Sequence, residues 1–209
     1  VTQRLATPSQ NQSGVLVKVL NPQGNPSGDW QVLEALFAIE PPSPDEEVAL
    51  QEHLKTIRWA MEDTQSFPEA PVPYQLLLSR FKAFVNKVDM RSLRMLRGDP
   101  PRRADGLPVL SGYSGQGPLF LHEALLYSPT WVLRELLYAW LATFLARPQS
   151  LNDWTFAREQ RQASSSDEGR RVIVITSPSG DRYNIAEHAL ITGAERGLER
   201  WVDFSNRFV

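Results

Sequence analysis

The chain has 209 residues, 42% of them apolar and six of them Trp, which is enough to bury a core and excludes wholesale disorder. It has no cysteine, which excludes a disulfide framework, a thiolate metal site and a cysteine nucleophile. The formal charge of −2 is the near-cancellation of two lopsided segments, so it neither favours nor excludes a polyanionic partner.

Residues 1–13 read as a polar arm, and VTQRLATPSQNQ lacks the apolar stretch of a secretory signal. Residues 14–209 are expected to form a single domain. The chain is expected in the cytoplasm or in a particle assembled there. Val15–Leu20, VLVKVL, is short and β-branched and predicts a strand. A turn-rich NPQGNPSG follows. The Leu, Ala and Glu content of 30–39 favours a helix, with a strand paired to Val15–Leu20 as the alternative.

In PPSPDEE, Ser43 can cap a helix and Pro44 takes its first position. Asp45, Glu46 and Glu47 lie where the helix dipole favours negative charge. Leu50, Leu54, Ile57 and Met61 then recur at helical spacing, while Trp59 and Val48 point the opposite way. Trp59 is either covered by a second layer of the fold or left as an anchor for a partner, since aromatics dominate interface energetics.

A long helix is expected over 74–97, with its apolar stripe running from Tyr74 to Met95. Arg80, Lys87, Arg91 and Arg94 would then share one narrow arc beside the stripe. A helical stretch is expected over 119–127. Ser128 and Pro129 repeat the cap-then-proline signal for a helix over 128–147 that is apolar nearly all round, which makes it the centre of the core. A shorter helix is expected over 151–160. Arg171–Thr176, RRVIVIT with its preceding Arg, predicts a strand, and 182–185 its hairpin return. A closing amphipathic helix over 185–204 is expected to bend near Gly193. The fold class these elements imply is α+β, mainly helical: helices around the 128–147 helix, with a small antiparallel sheet.

Charge is sorted along the chain. Residues 29–69 carry ten acids against two bases, and residues 80–103 carry eight bases against two acids. Opposite fields of this kind either neutralise each other within one molecule or meet a charged partner.

No catalytic motif competes with that feature. Around Ser114, a G-x-S-x-G elbow would need glycine where Gln116 stands. His53, His122 and His188 are too far apart in sequence for one helix to offer two imidazoles to zinc, and Leu126 occupies the last position of an H-E-x-x-H beginning at His122. The carboxylate pairs Glu46/Glu47 and Asp167/Glu168 belong to a helix start and a polar linker. No cofactor or metal is expected.

The favoured expectation is a non-enzymatic structural or adaptor subunit of a larger protein assembly, for example a virion component or a comparable bacterial machine. It would dock through its segregated acidic and basic helix faces. The partner-binding residues would be Trp59, Arg80, Lys87, Arg91, Arg94, Arg97 and the terminal Phe208. The alternatives are a nucleic-acid-associated protein using the Arg-rich 80–103 segment, and an enzyme whose site, drawn from residues such as Ser114, His122 and Glu123, shows as no motif. No stretch approaches the ~20 apolar residues a membrane span requires.

Overall fold

The computed structural model describes residues 15–20, 26–33, 38–62, 72–100, 108–113, 115, 117–160 and 171–206. In chain order, β1 (Val15–Leu20) and β2 (Pro26–Leu33) form an antiparallel hairpin. The second strand of the hairpin occupies the start of the segment expected as a helix. β3 (Ala38–Glu40) leads into α1 (Pro44–Glu62) and α2 (Val72–Asn86). A 3-10 turn, Met90–Ser92, precedes β4 (Leu93–Arg97), followed by β5 (Ser111–Tyr113) and β6 (Leu119–His122). A second 3-10 turn, Glu123–Tyr127, enters α3 (Pro129–Phe144). The chain continues through β7 (Gln149–Leu151), β8 (Trp154–Gln160), β9 (Arg171–Thr176), β10 (Arg182–Ala186) and α4 (Glu187–Asn206).

The mainly helical expectation with one small antiparallel sheet is overturned. The fold is α+β with two four-stranded sheets, ordered β3-β4-β6-β5 and β10-β9-β8-β7. The first is mixed, because β4 and β6 run parallel. The second is antiparallel throughout.

The physical reasons for the correction are local. The helix expected over 74–97 stops at Asn86. The Arg58 guanidinium donates to Val85 O in the last turn of this helix at 3.0 Å and to Val88 O just past its end at 3.3 Å. Asp89 then accepts from the Arg91 amide at 3.0 Å, an alternative to helix continuation that short acids offer. The next residues enter β4, where Leu93, Met95 and Leu96 are all buried. Residues 119–122 are β6, enclosed between β4 and β5, so LFLH reads as a continuous apolar run rather than an alternating one.

Residues 151–160 form a hairpin, not a helix. Asn152 and Asp153 both take positive φ, 49° and 64°, between paired Leu151 and Trp154. That is the two-residue turn whose twist suits flanking strands.

Both sheets and all four helices contribute to one hydrophobic cluster. α3 supplies Val132, Leu133, Leu136, Leu137, Ala139, Trp140 and Leu141 to it. A chain of aromatic contacts crosses the interior, Phe81–Trp140 at 5.5 Å, Trp140–Phe144 at 4.7 Å and Phe144–Phe156 at 6.1 Å, linking α2 to α3 and β8. α4 runs as one helix through Gly193. A Cβ at 193 would meet the Tyr74 hydroxyl at 2.9 Å, so glycine serves a close approach between α2 and α4.

Candidate interaction surface

α1 starts in a reciprocal capping box. The Ser43 amide donates to Glu46 Oε2 at 2.8 Å, and the Glu46 amide to Ser43 Oγ at 3.5 Å. Glu46 is also the main partner of Arg97, whose Nη1 and Nη2 each lie 2.6 Å from one of its carboxylate oxygens. Arg97 Nε donates to Glu40 at 3.0 Å, and Nη1 reaches Glu123 at 3.4 Å. The hydrogen bond from Arg97, reinforced by Ser43 and opposed by burial, holds the Glu46 carboxyl down at about 2.

The same knot fixes His122. Its Nδ1 accepts from the Ala124 amide at 3.1 Å, so Nε2 carries the hydrogen donated to Gly98 O at 2.7 Å. Arg97 therefore closes β3, β4, the start of α1 and the 123–127 turn onto one another, its guanidinium engaged by three carboxylates of its own chain.

The basic row does not exist as one helical arc. Arg80 is on α2, Lys87 just past its end, Arg91 in the 3-10 turn and Arg94 in β4. Arg94 Nη1 donates to Arg91 O and Leu93 O at 2.9 and 2.8 Å. Lys82 reaches Glu62 of α1 at 3.8 Å. The acidic and basic stretches are thus partly joined within the chain, through Arg97–Glu46 and Lys82–Glu62. Arg80, Lys87 and Arg91 are exposed, and their side chains enter no ion pair among the described residues.

A second internal pair joins β8 to α4. Arg158 Nη2 donates to Glu187 Oε1 at 2.9 Å, with Glu187 only 4% exposed. Burial lowers the Arg158 value despite this partner. Arg158 Nε and Glu187 Oε2 are buried without hydrogen-bond partners.

The aromatic side of the expectation fares differently. Trp59 is 49% exposed, beside Trp201 of α4 at 5.9 Å and under the Lys55 ammonium at 4.7 Å. It lies on the outward stripe of α1 with Val48, Glu52 and Lys55, all exposed. Tyr127 is 84% exposed and Trp131, four residues on, is 50% exposed. Neither was singled out from sequence. Both flank the Ser128–Pro129 helix start, a signal that places them at an element junction and on the first turn of α3, outside the buried face.

Among the described residues the three histidines do not converge. His53 bonds Leu126 O at 2.8 Å, His188 lies by Thr192, and His122 belongs to the Arg97 knot, so the three imidazoles are dispersed. Among the described residues no group of three His, Asp or Glu is placed to hold a metal. Among them, too, no helix is long and apolar enough to cross a membrane. Ser114, Asp167, Glu168, Phe208 and the 1–13 arm lie outside the described residues. In comparison with known proteins, the chain matches no family model, no curated protein and no solved structure.

Proposed function

We propose that this protein is a non-enzymatic structural or adaptor subunit of a larger protein assembly, of the kind found in a virion or a comparable bacterial machine. The observation that carries the reading is the exposure of Trp59, Tyr127 and Trp131 on a chain whose core already encloses Trp140, Phe81 and Phe156. Large aromatics left at the surface are the residues that dominate protein–protein contact when covered. Charge contributes less than the sorted sequence suggests, because Arg97 and Lys82 are engaged internally. Arg80, Lys87 and Arg91 remain as a polar fringe that orients a partner rather than anchoring it.

The test is gradient sedimentation of the protein from its native source, alongside variants expressed in its place. The protein is expected in fast-sedimenting fractions. Trp59→Glu and Trp131→Glu, both at exposed positions that leave the core intact, are expected to move it to the top of the gradient. Wild-type protein sedimenting as a free single chain would reject the reading.

Nucleic-acid association is the second reading, favoured by the exposure of Arg80, Lys87 and Arg91 outside any ion pair among the described residues. It predicts an affinity that falls steeply with salt and flattens in an Arg80→Glu/Lys87→Glu/Arg91→Glu variant.

A further inference from the structure

Apart from the β1–β2 hairpin, the two four-stranded sheets end in four edge strands, and these differ in how far they are closed to further pairing. β3, β5 and β7 are three residues each, the shortest of these edges. β8 projects past β7, but its projecting part carries Arg158 and Glu159, and charge is a standard guard on an edge. β10 is five residues long, has no proline, and pairs with β9 in unbroken one-to-one register.

The direction of its free groups follows from the turn. The Ser177 amide donates to Asp181 O at 2.8 Å, which makes 177 and 181 a hydrogen-bonded pair. Alternation along an antiparallel ladder then assigns Tyr183 and Ile185 to bonding with β9, and turns the N–H and C=O of Arg182 and Asn184 outward. Arg182, Tyr183 and Asn184 are all exposed, and the outward backbone groups make no hydrogen bond to another described segment. Ala186 adjoins α4, so the open stretch is 182–184.

We propose that this edge pairs with the same edge of a second copy of the chain, about a two-fold axis at Tyr183. Arg182 then exchanges both backbone bonds with the partner's Asn184, and Asn184 with the partner's Arg182. Tyr183 meets the partner's Tyr183 at the closer, non-bonded spacing. Two features of the strand select a second copy. Tyr183 is 41% exposed even though Trp154 lies beside it at 6.0 Å, and an identical aromatic across the axis covers that remainder. The only charged side chain on β10, Arg182, is paired with Glu159 of its own sheet and stands opposite a neutral asparagine, so like charges do not meet. The two four-stranded sheets become one continuous sheet across the axis. This contact uses strand geometry alone and is separate from the aromatic helix surface proposed above.

The experiment is light scattering after size exclusion over about a hundredfold concentration range, where mass action reveals a dimer. Wild type and Asn184→Ala are expected to double in mass as concentration rises. Asn184→Pro removes an outward N–H that β9 does not use, at an edge position where proline is tolerated, and is expected to stay a single chain with unchanged circular dichroism. Hydrogen exchange on the wild type gives an independent reading should that variant fail to fold: the Arg182 and Asn184 amides are expected to gain protection with concentration. A wild type that remains a single chain, an Asn184→Pro variant that still doubles, or exchange at these amides independent of concentration would each overturn the proposal.

Discussion

Arg97 and Glu46 meet fork to fork, two parallel N–H···O bonds of 2.6 Å joining the last residue of β4 to the first turn of α1. Bidentate pairs of this kind are geometrically specific as well as strong. This one positions a helix start, a strand end and, through Glu40 and Glu123, two further segments.

A pH dependence follows. Glu46 has its folded value lowered from 4.5 to about 2, so its contribution to stability is complete above 4.5 and is lost as the pH falls towards about 2. Glu46→Gln keeps a residue suited to the capping box but loses the charged partner of Arg97. It is expected to cost about 2 kcal/mol near neutral pH, with the difference from wild type shrinking through that acid window. Thermal melts of both proteins from pH 7 to about pH 2 measure this. Melting curves that stay parallel across the range would count against the assignment.

The buried Arg158–Glu187 pair predicts a different pattern. Removing one member leaves the other charge enclosed, so Glu187→Leu and Arg158→Met are each expected to destabilise, the first by about 3 kcal/mol. Replacing both, Arg158→Met with Glu187→Leu, also removes the unpartnered Nε and Oε2. The double variant is expected to recover most of the loss. Urea denaturation of the two singles and the double gives the cycle directly. A double variant as unstable as the sum of the singles would contradict it.

Gly193 offers a gain. Alanine is favoured over glycine inside a helix by about 1 kcal/mol, but its Cβ would lie 2.9 Å from the Tyr74 hydroxyl. Gly193→Ala alone is therefore expected to be close to neutral. Combined with Tyr74→Phe, the nearest contact becomes the ring carbon at 3.9 Å. The pair is expected to raise the melting temperature above that of Tyr74→Phe alone. No rise would mean that α4 does not gain from the added methyl group.

How legible each element is depends on where its instructions lie. α1 is announced by Ser43, Pro44 and the acids behind them, and its buried Leu50, Leu54 and Ile57 fall on the expected face. α3 begins at Ser128–Pro129 as read, and β9 and β10 lie where the β-branched run and its return predict. β4, β6 and β8 escape, for three separate reasons. Leu93–Arg97 extends a helical stripe on paper, and only the Asp89 cap marks the break. Leu119–His122 is buried on both faces and lacks alternation. Trp154–Gln160 is rich in helix formers, and the Asn152–Asp153 turn that makes it a strand is a two-residue signal.

On the interaction surface, the outward direction of Trp59 is read from helical spacing, because angle along a helix is a local property. That Arg97 is bonded to Glu46 is not readable in this way, since the two are 51 positions apart. Local chemistry alone thus determines the starts of α1 and α3, the β9–β10 hairpin and the sorting of charge by segment. Which charges cancel, which strands lie side by side and which aromatics stay uncovered are decided only when distant segments are brought together, because Coulomb attraction and burial depend on separation in space and not on order along the chain.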